Sequence, residues 1–255
     1  MLAALVAGCA HAPSEPLEGR IWDVRAARFV SERELFDAAA RARHVIVGET
    51  HDNPEHHRLQ LEVLKALGSQ RRVLAMEQFD SEHQAALDQV RSKDPEAVAD
   101  AGRFDRKGWN WPLYRPLVEF ALERGWPIRA ANLSRTAARR IVAEPGLSGL
   151  PPASASVVSA LERDIAEGHC GQKPEARRLA GMVEAQRARD ARLASALREP
   201  SVLITGNGHA RRDRGVPLYM SENVVSVGLV EVEPGKTTPR EYLRGFYSEA
   251  SFDYV

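Results

Sequence analysis

Apolar and polar positions alternate along this chain in two rhythms, short apolar runs and longer stretches with a helical stripe. Val45-Ile46-Val47-Gly48 is an apolar, β-branched run, the pattern of a buried strand. Asn53 and Pro54 then open a helix to about Leu67, with Asn53 as N-cap, Pro54 at the first helical position and Leu59, Val63, Ala66 and Leu67 along one face. The same alternation recurs downstream. Core strands are expected at 73–76, ending at Glu77-Gln78, at 127–131, at 202–205 and at 224–230. Between them the pattern predicts helices from the capping box at Ser81 to about Val90, from near Arg115 after Pro112 and Pro116, over 135–142, over 154–167, and from Pro174 to Arg198. Before the central strand, residues 20–30 read as a small hairpin, and Ser31-Glu32-Arg33-Glu34 is a capping box opening a short helix to about Arg43. The tail from Glu233 is polar with scattered aromatics and is expected to wander over the surface.

Strands alternating with helices predict an α/β fold: a mostly parallel sheet of about five strands with helices on both faces, and a small N-terminal hairpin. In such sheets the carboxyl ends of the strands carry the chemistry. Twice the chain runs from strand into Gly-x-x-His, at Gly48 to His51 and at Gly206 to His209. Parallel strands would bring both histidines to one edge, with Glu49 and Glu77 beside them and Asn132 and Asn207 at the remaining exits. Two carboxylates and two histidines in one crevice could hold a metal ion or act as acid, base and electrostatic partner. The bland alternative is that these carboxylates pair with arginines or cap helices, as most charged residues do.

The long helix after Pro174 carries Leu179, Met182, Val183, Leu193 and Leu197 on one stripe, and Gln186 and Asp190 fall in its middle. An inward amide and carboxylate need partners, either backbone groups and an arginine, or the crevice histidines that they would orient. His169-Cys170 sits in a loop between helices, a pair able to ligate haem iron or a soft metal. His56, His57 and His83 lie on helix first turns, where histidines are usually surface or capping residues.

The 255 residues are 44% hydrophobic and 27% charged, and 35 basic residues cancel 35 acidic ones. No clustered excess charge marks a nucleic-acid surface. The chain therefore divides into three: residues 1–9, an apolar segment ending in Val6-Ala7-Gly8-Cys9; 10–19, a tether; and 20–255, one α/β domain. The Val-Ala-Gly-Cys string reads as a lipobox with Cys9 lipidated, though no basic residue precedes it. Ala10 after the cysteine favours outer-membrane sorting in a two-membrane envelope.

Together these residues resemble the ChaN-like haem-binding lipoproteins, of the superfamily that also includes the Tiki peptidases and erythromycin esterases. The resemblance rests on Gly48-Glu49-Thr50-His51-Asp52-Asn53-Pro54 with His57 and Gln60, on Glu77, on Trp111-x-x-Tyr114-x-Pro116, on Ala130-x-Asn132 and on His169-Cys170-Gly171. It continues through Gln186-x-x-x-Asp190 and Gly206-x-Gly208-His209 with Gly215-Val216-Pro217. It implies a lipid-anchored protein of haem or iron uptake, in which two subunits can enclose haem between them. A tyrosine ligand with histidine support from the other subunit is the family picture, and Tyr114 is the candidate. The haem-contacting set it implies is His51, His57, Tyr114, His169, Cys170 and His209. The competing expectation is a metal-dependent hydrolase, with a divalent ion on Glu49, His51, Glu77 and His209.

Overall fold

The computed structural model describes residues 15–221, 223–243 and 251–255. Cys9 lies outside the described residues. The hairpin forms as expected, β1 (Ile21–Asp23) pairing antiparallel with β2 (Arg28–Val30). The Ser31 capping box opens α1 (Glu32–Arg41). Then come β3 (His44–Glu49), α2 (Pro54–Ala66) and β4 (Val73–Asp80), followed by α3 (Gln84–Leu87) and α4 (Pro95–Ala101). The order continues α5 (Trp111–Arg124), β5 (Ile128–Asn132), α6 (Arg135–Ala143), α7 (Ala155–Gly168) and α8 (Ala176–Ala196). It closes with β6 (Ser201–Gly206), α9 (Asn207–Ala210), β7 (Val224–Val227) and α10 (Pro239–Tyr242).

The five-stranded sheet has the order β5-β4-β6-β3-β7, and every pairing in it is parallel. The chain leaves β3 for β4 on the far side of a gap that β6 later fills. That gap is the topological switch point, where an open α/β sheet leaves a crevice outside the carboxyl ends of its strands. Alternate strand residues feed two cores. Val45, Val47, Leu74, Met76, Val202 and Ile204 pack with side chains of α1, α2 and α5. Ile46, Ala75 and Leu203 pack on the other face against Leu193 of α8, against Leu197 just after that helix and against Phe252.

Four expectations change. The Ser81 helix is a 3-10 turn over Ser81–His83 followed by the single turn α3, without the capping box. Gln84 is recruited elsewhere: its amide donates to Ile128 O at 3.2 Å and accepts from Ala130 N at 2.7 Å, closing the open edge of β5. α5 begins at Trp111, earlier than expected, with Pro112 in its first turn and Pro116 inside it. A first-turn proline loses no intrahelical bond, and the one that Pro116 forgoes is outweighed by burying Trp111, Tyr114 and Leu117. β7 stops at Val227, short of the expected 230. Residues 251–255 return to the sheet instead of wandering: Phe252 is buried, and Trp22 and Val255 exchange backbone bonds at 2.8 and 3.0 Å. Burial of one aromatic ring and a two-way backbone pair outweigh the polarity of the intervening segment.

Candidate functional site

β3 delivers Glu49 to the crevice in parallel register with Gly206 of β6. Glu49 is only 2% exposed, and its two oxygens gather donors from four parts of the chain. Oε1 accepts from the Tyr114 hydroxyl at 2.6 Å, from His51 Nδ1 at 2.8 Å and from the Gln78 amide at 3.3 Å. Oε2 accepts from the Gln60 amide at 2.7 Å and lies 3.4 Å from His57 Nδ1. A buried carboxylate is tolerated when its lone pairs are filled in this way.

The turn after β3 is held by histidines placed at the start of α2. The Thr50 N–H donates to His56 Nδ1 at 2.9 Å, and His57 Nε2 lies 3.1 Å from the His51 carbonyl. Burial pulls the His56 imidazole below its ordinary pKa, consistent with its role as an acceptor. Both His56 and His57 are buried, contrary to the expectation of surface or capping residues, because the Asn53-capped helix starts directly against the sheet edge. His51 itself is about half-exposed, its side chain retaining 45% of its accessible surface. Its ring meets Trp109 edge-to-face at 4.6 Å and lies over Gly206. Burial acts to lower the His51 pKa, but the Glu49 and Glu77 carboxylates reverse this and raise it.

β4 supplies the second carboxylate. The register of β4 becomes irregular between Met76 and Asp80, and its pairing with β6 ends at Met76. Glu77 is therefore inside the strand rather than at its exit, but free of the β6 ladder. Its Oε2 accepts from the Thr205 hydroxyl at 2.6 Å and the Gly206 N–H at 2.9 Å. Oε1 faces His209 Nε2 at 3.4 Å, while His209 Nδ1 meets Asp190 Oδ1 at 2.6 Å. All three side chains are buried. Burial opposes charge on His209, yet two flanking carboxylates push its pKa up to about 10. Burial likewise opposes charge on Glu77, but His209, His51 and Thr205 hold it well below the usual carboxylate range. Asp190 is pushed up to about 6 because burial outweighs His209, and its Oδ2 has no partner among the described residues. The Gln186 amide nitrogen stands 3.2 and 3.3 Å from the two ring nitrogens of His209. Near-equal distances place it over the ring face, so it packs on the imidazole rather than bonding in its plane.

The structure thus brings together Glu49, His51, His57, Tyr114, Glu77, His209, Gln186 and Asp190. It does not bring His169 and Cys170 to them. Both are exposed in the turn after α7, where His169 Nδ1 bonds the Ile165 carbonyl at 2.7 Å. Asn132 and Asn207 are also diverted, the first accepting from Arg189 and the second bonding the Leu229 backbone. Tyr114 is fully buried with its hydroxyl committed to Glu49, and burial beside that carboxylate raises its pKa strongly. The expected divalent-metal set of Glu49, His51, Glu77 and His209 finds no support. The carboxylate oxygens of Glu49 and Glu77 are taken by protein donors, and among the described residues no three His, Cys, Asp or Glu side chains are grouped as metal ligands. Sequence reasoning missed Thr205, Gln78 and Trp109 as parts of the site. A hydroxyl ending an otherwise apolar strand run was the available signal for Thr205.

The architecture has known counterparts. A family model described as "Haem-binding uptake, Tiki superfamily, ChaN" matches residues 35–220. No curated protein matches the chain. Among solved structures, the Campylobacter jejuni ChaN described as showing cofacial heme binding is 24% identical, with a TM-score of 0.77 over 92% of this chain and 95% of that one. The type III effector HopBA1 is 18% identical, with a TM-score of 0.47 over 79% of this chain and 83% of that one.

Proposed function

The chain belongs to the ChaN family of the Tiki superfamily, and on that premise we propose that it binds haem at the carboxyl edge of its sheet and serves haem or iron uptake. The observation that carries the placement is His51. Its Nδ1 is fixed by buried Glu49, which leaves Nε2 of a half-exposed ring, beside Gly206, with no hydrogen-bond partner among the described residues. A carboxylate on one imidazole nitrogen orients the ring and raises the basicity of the other, the arrangement of many metal-ligating histidines. Trp109 flanks the ring with an aromatic wall, and Gly206 leaves it room: a Cβ there would stand 2.8 Å from His51 Cε1. Haem bound there would supply an iron able to take such an imidazole as ligand.

Tyr114 is a poor ligand in this arrangement, since reaching iron would break its 2.6 Å bond to Glu49. A tyrosine ligand of the kind the family resemblance implies falls better to Tyr219. It is half-buried on the 3-10 turn that packs against α8, beside Arg187 and Asp190. Enclosure of haem between two copies of the chain is part of the same proposal.

Titrating haem into the purified domain is expected to give a saturable Soret shift near stoichiometric haem. His51→Ala should weaken binding by about 10–100-fold while the far-ultraviolet spectrum stays unchanged, and Gly206→Ala should act in the same direction by displacing the ring. No saturable shift for the wild type would reject haem binding. Full affinity in both variants would move the ligand away from His51.

We further propose that the chain is anchored to the cell envelope through Cys9, with the outer membrane the favoured site. Among the described residues no helix is long and apolar enough to cross a membrane. Metabolic labelling with a fatty-acid analogue should mark the wild type and spare Cys9→Ser. Equal labelling of the two would remove the anchor.

A further inference from the structure

Toward the amino edge of the sheet, away from the haem site, a cavity of about 170 Å³ opens between β5, α3 and the end of α8. Three arginines line it: Arg129 from β5, Arg192 from α8 and Arg198 just beyond that helix. Like charges around one small space repel, and an arginine cluster normally recruits carboxylates. Here the nearby acids do little. Glu199 approaches Arg129 Nη2 only to 3.4 Å with its side chain 62% exposed, and Asp88 is held by the Gln84 amide at 2.8 Å. A charge-assisted bond is usually about 2.7–2.9 Å, so the Glu199 contact is a weak, screened pair.

Two further features favour an anion there. Arg129 lines the cavity with a partly exposed side chain, and the weak 3.4 Å contact of its Nη2 with Glu199 is its one ion pair among the described residues. Arg192 is exposed and makes no ion pair among the described residues. The carbonyl end of α8, which would repel an anion, is partly covered by its own side chains. Ser195 Oγ donates to Arg192 O at 2.8 Å, and Arg198 Nε donates to Ser195 O at 3.3 Å.

We propose that this pocket binds a phosphate-class oxyanion, free or as an exposed phosphomonoester headgroup. Guanidinium forks match phosphate oxygens two at a time, and three of them around one cavity can engage a tetrahedral acceptor. Size agrees: at about 170 Å³ the cavity is smaller than the roughly 300–1,000 Å³ of a site for a drug-sized ligand. The site is independent of the haem reading, since it shares no residue with the crevice.

Thermal unfolding of the purified domain in rising inorganic phosphate, against sodium chloride at matched ionic strength, tests it. A saturable rise in Tm is expected with phosphate only. Arg192→Gln should weaken the apparent affinity about tenfold or more, the scale of one lost charged hydrogen bond. Because Arg192 is exposed, that variant should fold as the wild type does, and Arg129→Gln should repeat the result. Flotation with phosphatidylcholine vesicles, with and without phosphatidic acid, separates the two sources. Binding that needs phosphatidic acid and is lost in Arg192→Gln assigns a lipid headgroup. A phosphate response without vesicle binding assigns a soluble ligand. A response that chloride reproduces, that does not saturate, or that both substitutions leave unchanged overturns the proposal.

Discussion

Glu49→Ala is expected to lower the stability of the folded domain by about 3–5 kcal/mol, the range for removing one partner of a buried charged network. The size follows from what Glu49 holds. The residue is 2% exposed, and its carboxylate accepts from Tyr114, His51, Gln78 and Gln60, which belong to α5, the β3 turn, β4 and α2. An alanine leaves those donors pointing at an empty space, and each unsatisfied buried donor costs roughly 1–3 kcal/mol before relaxation. Glu49→Gln keeps the shape but turns a donor toward other donors, so it should lose less than the alanine and more than a surface substitution. Urea unfolding at neutral pH, followed by tryptophan fluorescence, measures both. A loss below about 1 kcal/mol for the alanine would mean that the crevice is held by packing alone. The haem readout should fall with it, since His51 Nδ1 loses the partner that fixes its ring.

Wild-type stability is expected to decline through the alkaline range in a way that His209→Gln abolishes. The folded pKa of His209 is raised to about 10 from an ordinary 6.5, so the folded state keeps a proton that the unfolded chain releases. That contribution is fully present below about pH 6.5 and fades as the pH rises to about 10. Glu77 works on the acid side. Its pKa is held below the usual carboxylate range, so its contribution is present above the unfolded value of 4.5 and is lost as the pH falls through its folded value. Asp190, raised from 3.8 to about 6, has the opposite sign to Glu77: it favours the folded state below pH 3.8 and loses that contribution as the pH rises through 6. From these three groups stability should therefore hold best in the mildly acid range, about pH 4–5, where Glu77 already contributes and Asp190 and His209 still hold their protons in the folded state, and it should fall on both sides. Lysines and tyrosines also titrate in alkali, so the decisive quantity is the difference between wild type and His209→Gln. The variant should be less stable at pH 7, where it leaves two carboxylates without their cation, and flatter between about pH 7 and pH 10. Parallel alkaline slopes would show that His209 is not held charged.

Much of this architecture is written in short-range signals. The β-branched run ending at Gly48, the Asn53-Pro54 start and the Ser31 capping box depend on neighbours within four residues, and each forms where its residues stand. The two Gly-x-x-His junctions were likewise readable, because parallel strands release their connections on one edge whatever their order in the sheet. What tertiary structure decided was partnership. Nothing local assigns the Tyr114 hydroxyl to a carboxylate 65 positions away, nor sets Asp190 against His209 while His169 and Cys170 stay outside. The second pairing exists because β6 enters between β3 and β4 and carries Gly206 and His209 to Glu77, beside Asp190. The same competition broke the Ser81 helix, where the open edge of β5 claimed Gln84, and drew the last five residues back onto the sheet. Strand order and hydrogen-bond partner are won by whichever distant group arrives with the better geometry, and a buried polar atom takes the partner that the assembled fold presents to it.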